Sequence, residues 1–172
     1  WGGSSSINAM VYIRGHAADY ERWSQDGNSG WSYAEVLPYF KRAESFEGSG
    51  DDAYHGHSGP LAVKKSDRTD DLLLDRFVQA GEQAGFPLTD DFNGRQQEGF
   101  SRYEHTMKGT KRCSAARAYL HPVRDRQNLE ILSHTTVDRI RFEDRRAVAV
   151  DIVVKGQRRT LTARKEIIVS AG

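Results

Sequence analysis

Apolar positions recur at helical spacing in two stretches of the chain. Val36, Leu37, Phe40 and Ala43 share one helical face. The run opens on Ser32-Tyr33-Ala34-Glu35, a capping box in which serine and glutamate three apart satisfy each other's first-turn donors. Pro38 falls within the first two turns, so the pattern predicts a helix over 32–46. Leu73, Phe77, Ala80 and Ala84 sit at i, i+4, i+7 and i+11, which predicts a second helix with a buried stripe. Thr69 with Asp70 and Asp71 would cap it, and Gly85 and Pro87 would stop it. Ala17 to Gln25 reads as a shorter helix with Tyr20 and Trp23 on one side, ended by Gly27-Asn28-Ser29-Gly30. Ser114 to Leu120 reads as a short helix before Pro122.

Strand patterns are fewer at first and then dominate. Leu61-Ala62-Val63-Lys64 is a short strand, and Phe100 to Met107 a further one. In the last third, Leu129–Leu132, Val137–Phe142, Val148–Val154 and Leu161–Ala163 alternate or run apolar with β-branched residues. Turns at Glu143–Arg146 and Lys155–Gln157 separate the later ones, which predicts an antiparallel meander. Glu166-Ile167-Ile168-Val169 then reads as an apolar strand ending in Ser170-Ala171-Gly172. Strands buried on both faces read this way, and ligands sit at their carboxyl ends in α/β sheets. The fold class expected is α+β, an antiparallel meander plus helices.

Composition narrows the function. A chain of 172 residues suits one domain or two small ones. Hydrophobic residues at 37% and charged residues at 28% are those of a soluble globular protein. The net charge of +1 offers no basic footprint, so nucleic acid is not an expected partner. No run of about 18 apolar residues occurs, so no membrane span is expected. The single cysteine, Cys113, cannot form a disulfide within the chain and suits a reducing compartment, here the cytoplasm. It reads as a structural thiol.

Candidate chemistry starts with the opening loop, Trp1-Gly2-Gly3-Ser4-Ser5-Ser6-Ile7-Asn8-Ala9-Met10-Val11-Tyr12. Small side chains let its backbone N–H groups approach an anion. A mature protein rarely starts inside such a loop, so a cut chain is expected. Neither the Gly-x-x-x-x-Gly-Lys-Ser/Thr nor the Gly-x-Gly-x-x-Gly pattern occurs. His55-Gly56-His57 could be half of a metal site but has no further ligand cluster nearby, so a solvated loop is expected and no metal. His16, His105, His121 and His134 are scattered and read as structural or exposed. Asp90-Asp91 reads as capping the Asn93-Gly94 turn. No Gly-x-Ser-x-Gly elbow supports a hydrolase.

Taken in order, several segments resemble the glucose–methanol–choline family of flavin-dependent oxidoreductases. They are Gly2 through Gly15, Gly30-Trp31-Ser32-Tyr33, Leu37 through Glu44, and His55-Gly56-His57-Ser58-Gly59-Pro60-Leu61. Asp90-Asp91-Phe92-Asn93-Gly94 with Gln97-Glu98-Gly99, Arg112 through Leu120, and the closing Ser170-Ala171-Gly172 complete the set. The likeness is to the bacterial choline dehydrogenase-like and alcohol dehydrogenase-like branch. It implies a fragment of an α/β FAD-binding fold joined to part of a sheet-and-helix substrate domain. Residues 1–60 would be a flavin-facing loop and helical cover, 61–127 part of the substrate domain, and 128–172 the meander and terminal strand of the FAD-binding domain.

The resemblance also implies roles. Gly2, Gly3, Ser4, Ser5 and Ser6 would lie near the FAD phosphates, and Asn8, Ala9, Met10 and Val11 near the flavin ring. Val137 would meet the adenine through its backbone, and Ala171 and Gly172 would begin a loop near the cofactor. Some relatives carry a flavin-linked histidine at the position of Ile7; isoleucine implies noncovalent FAD, lost or weakly held by the fragment. The catalytic base lies outside this chain, so no catalytic residue is assigned and the fragment alone is expected to be inactive. The whole enzyme would oxidise the CH–OH group of choline or another alcohol. A fragment with exposed strand edges is expected to self-associate or to leave its first loop disordered. The rival expectation is a binding or assembly module on the same scaffold without chemistry.

Overall fold

The computed structural model of the chain describes residues 1–65 and 71–171. The predicted cap residues Thr69 and Asp70 and the predicted site residue Gly172 lie outside the described residues. The chain forms two compact units, Trp1–Asp125 and Arg126–Gly172.

The first unit is built on helices α1 (Ala17–Gln25), α2 (Tyr33–Ala43) and α3 (Leu72–Gln83) and a small mixed sheet. Helix α1 has the predicted bounds. Helix α2 begins as expected: the Ser32 N–H donates to Glu35 Oε2 at 3.0 Å and the Ser32 hydroxyl to the same oxygen at 2.6 Å. It stops at Ala43, three residues short of expectation, because Glu44 is already the first residue of strand β2. The sheet holds β1 (Val11–Tyr12), β2 (Glu44–Glu47), β3 (Leu61–Lys65) and β4 (Glu104–His105) in the order β1-β4-β3-β2. Strands β2 and β3 are parallel, with Glu44 opposite Leu61, and β4 runs antiparallel to β3 and β1. Phe46, Ala62 and Val63 are buried on this sheet, and burying side chains the size of Val63 or Phe46 stabilises by about 2 kcal/mol each.

The predicted strand over Phe100–Met107 is broken into β4 and β5 (Met107–Lys108), the latter paired with β6 (Lys111–Arg112). Thr106 interrupts it by turning both its N–H, at 2.8 Å, and its hydroxyl, at 3.3 Å, onto the Met10 carbonyl. The predicted helix over Ser114–Leu120 forms a wide π-helical turn at Ala116–Leu120, followed by a 3-10 turn at His121–Val123. Cys113, just before it, is buried with Ala62 and Ala118.

Helix α3 corrects the sequence reading. Leu73, Phe77, Ala80 and Ala84 are exposed rather than forming a buried stripe, Leu73 by 81%. Gly81 is the buried residue of the helix, set so close to the Phe100 ring that a Cβ would fall 2.4 Å from it. Periodicity identifies which residues share a face; the packing neighbour covers only the part of that face around Gly81.

The second unit is a three-stranded antiparallel meander, β7 (Thr135–Glu143), β8 (Arg146–Val154) and β9 (Gln157–Thr162), as the pattern predicts. Ala149 and Ile152 of the central strand are buried. Leu129–Leu132 and Glu166–Val169 do not form the predicted strands. A strand needs a ladder partner, and no described strand pairs with either run. Ile168 and Val169 are accordingly exposed.

Candidate functional site

The opening loop is a 3-10 turn, Gly3–Ser6, entered through Gly2 in the left-handed region at φ +97°. Only glycine takes that conformation without strain, and a Cβ there would also meet Ser6 Oγ at 2.4 Å. Gly3 is also left-handed, and the space where its Cβ would stand is open. The next segment carries a less common feature. Met10 has φ +65°, a strained conformation for a residue with a long side chain. It is held by an Asx turn, in which the Met10 N–H donates to Asn8 Oδ1 at 3.0 Å.

The loop is tied down by residues about a hundred positions away. Arg112 Nη1 donates to the Asn8 carbonyl at 2.7 Å, to Asn8 Oδ1 at 2.8 Å and to the Ser5 carbonyl at 3.2 Å. The Ala115 N–H donates to Ser5 Oγ at 2.9 Å, and Ser5 Oγ donates in turn to the Gly2 carbonyl. Thus Gly2, Gly3, Ser4, Ser5, Ser6, Asn8, Ala9, Met10 and Val11 are brought together as one held loop. Ser4, Ile7, Asn8 and Ala9 are exposed on it, Ile7 by 86%. A cavity of about 750 Å³ borders Arg112, with Lys108, Lys111, Arg117 and His121 among its lining residues. It carries positive charge, and among the described residues no carboxylate lines it.

The loop leads through β1 into a buried ion network that the sequence did not reveal. The Arg14 guanidinium pairs with Glu44 at 2.7 Å and donates to the Tyr54 carbonyl at 2.8 Å. His55 is 1% exposed and reaches Glu44 at 2.9 Å through Nδ1 and Asp91 at 2.7 Å through Nε2. With carboxylates on both nitrogens, both must carry protons. Burial opposes that charge, but the hydrogen bonds His55 donates to Asp91 and Glu44 outweigh it and push the His55 pKa up to about 9. Burial would raise Glu44 and Asp91; bonds from His55 and from the backbone of Gly56 and Asn93 more than offset this and hold both below the usual range.

Asn93 ties the network to the segment Tyr12–Arg14. Its Oδ1 accepts the Arg14 N–H at 2.7 Å, and its amide donates to the Tyr12 carbonyl and to Glu104. Glu104 is fully buried, and burial pushes its carboxyl up. Burial likewise raises the Tyr12 phenol to about 12.

The expectation of a solvated His55-Gly56-His57 loop is therefore corrected for His55. Only His57 is exposed, where it meets Asp52 at 2.8 Å and the Phe46 carbonyl at 3.0 Å. Gly56 passes so near the end of α2 that a Cβ would stand 1.8 Å from the Lys41 carbonyl oxygen. Asp91, expected to cap or solvate a turn, both accepts from the Asn93 N–H at 2.8 Å and joins the network. Glu44 could be found from sequence only as a carboxylate at the end of an apolar helix, and Asn93 only as a turn residue. Neither signal indicates burial.

The remaining predicted residues lie in the second unit. Val137 is 60% exposed on β7, an outer strand of the meander, and Ala171 is exposed outside regular structure. Asp151 on β8 is the polar centre of this sheet. It pairs with Arg139 at 2.9 Å and Arg141 at 2.8 Å on β7 and accepts from Thr160 on β9 at 2.7 Å. Those bonds hold its carboxyl well below the usual range.

No helix of the described residues is long and apolar enough to cross a membrane. Among the described residues, no group of three His, Cys, Asp or Glu side chains is placed to hold a metal.

The chain is 51% identical over 172 residues to the mitochondrial choline dehydrogenase of Homo sapiens, covering 100% of this chain and 29% of that protein. It is 49% identical over 170 residues to the oxygen-dependent choline dehydrogenase of Brucella ovis, covering 99% and 30%. In structure it resembles an FAD-dependent oxidoreductase from Chaetomium thermophilum, with a TM-score of 0.90 at 30% identity over 99% of this chain and 32% of that one. Mixed helices and sheets arranged as in that enzyme class are thus the fold of this chain. The chain spans about 30% of the length of the curated relatives it matches. The GMC oxidoreductase family description matches residues 1–172, and because that match leaves no segment of the chain over, the chain belongs to the GMC oxidoreductase family.

Proposed function

We propose that the chain is part of an FAD-dependent enzyme that oxidises the CH–OH group of choline or a related alcohol to a carbonyl. The observation that carries this reading is the opening loop. Its left-handed Gly2 and Gly3, the open space above Gly3 and the exposed Asn8-Ala9 turn leave the backbone accessible to a flat, anionic cofactor. These residues fit FAD: the first amides of a 3-10 turn have no intrahelical partner and suit phosphate oxygens, and no bulky side chain blocks them. FAD, when bound, would supply the acceptor for the substrate hydride.

On this reading Gly2, Gly3, Ser4, Ser5 and Ser6 take the phosphate side, and Asn8, Ala9, Met10 and Val11 border the ring. On the second unit, Val137 is offered to the adenine, and Ala171 and Gly172 to the cofactor's edge. Residues 1–60 serve as flavin-facing loop and cover, 61–127 as part of the substrate domain and 128–172 as part of the FAD-binding domain. Ile7 offers no nucleophile, so the cofactor is held without a covalent bond. The buried, unpaired Cys113 supports a cytoplasmic setting.

This chain holds only one wall of such a site. We therefore expect it to be colourless when purified and not to reduce a dye in the presence of choline or aliphatic alcohols, whereas the full-length protein is yellow and does both. A yellow, dye-reducing preparation of the 172 residues would overturn the division of labour; a full-length protein without flavin would overturn the reading itself. Exposed Leu72, Leu73 and Phe77 on α3 support self-association of the isolated chain, and a strict monomer by light scattering would refute it.

A further inference from the structure

We propose that Arg112 is the positioning residue of the flavin-facing turn, an inference that rests on the FAD reading above. Its side chain is the one described group that gathers both ends of the turn. From a single Nη1 it reaches the carbonyl of Ser5, in the 3-10 turn Gly3–Ser6, and the carbonyl and side chain of Asn8, which opens the Asx turn to Met10. The same Asn8 Oδ1 also accepts the N–H of Met10. Arg112 therefore orients the oxygen that keeps Met10 at φ +65°, and a strained residue persists only where its surroundings over-determine it.

Arg112 is itself firmly placed. It lies on β6, in register with Met107, and its carbonyl accepts from Arg117 Nη1 at 3.2 Å. The next residues extend the hold: Cys113 N–H donates to the Thr106 carbonyl, while Thr106 N–H and hydroxyl donate to the Met10 carbonyl. Ala115 N–H donates to Ser5 Oγ. One segment, Arg112–Ala115, thus fixes the loop at Ser5, Asn8 and, through Thr106, Met10. A lysine in its place would keep the charge but offer freely rotating donors on a flexible stem instead of the pre-organised guanidinium N–H groups.

The test uses the full-length protein with FAD, in wild type and in Arg112→Lys, Arg112→Ala and Asn8→Ala variants. FAD affinity is measured by equilibrium titration, and amide hydrogen exchange is followed across residues 5–10 and across α2. Both Arg112 variants are expected to weaken FAD binding about tenfold or more, the scale of one lost charge-assisted hydrogen bond. Exchange is expected to speed up in residues 5–10 and to stay unchanged in α2. A double variant, Arg112→Lys with Asn8→Ala, should cost less than the two single changes summed, since both remove the bond between Arg112 Nη1 and Asn8 Oδ1. Wild-type FAD affinity with unchanged loop exchange in both Arg112 variants would overturn the proposal, and so would strict additivity. If the Arg112 variants do not fold, Asn8→Ala decides, and unchanged loop exchange in it overturns the proposal. A wild-type protein that takes up no FAD refutes the cofactor reading instead, and loop exchange then still tests the clamp.

Discussion

Replacing His55 by glutamine tests whether an imidazolium holds the buried network together. The side chain is almost fully buried, and its two nitrogens lie 2.9 and 2.7 Å from Glu44 and Asp91. A rise from 6.5 to about 9 corresponds to about 3 kcal/mol of preferential stabilisation of the charged form. Because the folded-state pKa is raised, that stability is fully present below about pH 6.5. It is lost as pH climbs toward about 9, at up to about 1.4 kcal/mol per pH unit, since only the folded state keeps the proton in that window. Removing the cation also leaves two carboxylates short of a partner, which places the total cost for His55→Gln at about 3–5 kcal/mol at neutral pH.

Unfolding in urea, followed by tryptophan fluorescence, measures this. Trp1, Trp23 and Trp31 all lie in the first unit, so the signal reports the unit that contains His55. Wild type should lose stability between pH 6.5 and 9, and His55→Gln should be less stable and keep only the shallower slope that His57, raised by its bond to Asp52, leaves. A variant that keeps the full wild-type slope, or a flat wild type, would refute a charged His55 as the centre of the network.

Other substitutions separate the buried groups. Gly56→Ala drives a methyl into the Lys41 carbonyl and should destabilise the first unit by about 2–3 kcal/mol in the same urea titration. Glu44→Gln should be strongly destabilising because it strips Arg14 and His55 of their shared carboxylate, while Glu104→Gln should change little, since burial already favours its neutral form. Thermal scans of the two variants side by side decide this. Asp151→Asn should loosen the meander without changing the tryptophan signal. In wild type the contribution of Asp151 is present above the ordinary carboxylate pKa and is lost as pH falls through its lowered value, so circular dichroism in acid should show the strands of the variant to be less pH-sensitive.

The sequence by itself determined the local elements and the family. Capping at Ser32, helical spacing from Ala17 and alternation from Val137 to Thr162 are written within a few residues of one another, because backbone propensity and capping act over a single turn or strand pair. The glycine–serine loop was legible for the same reason: chain flexibility is a local property. What covers each element was not. The Leu73–Phe77 face and the Ile168-Val169 run have the composition of buried structure and lie exposed, because burial depends on neighbours that periodicity does not name. Tertiary structure alone decided that Arg112 should hold a loop about a hundred residues away, and that His55, Glu44, Asp91 and Asn93 should meet. Such contacts join residues distant along the chain, and a polar side chain carries no sequence mark of whether water or another charge will satisfy it.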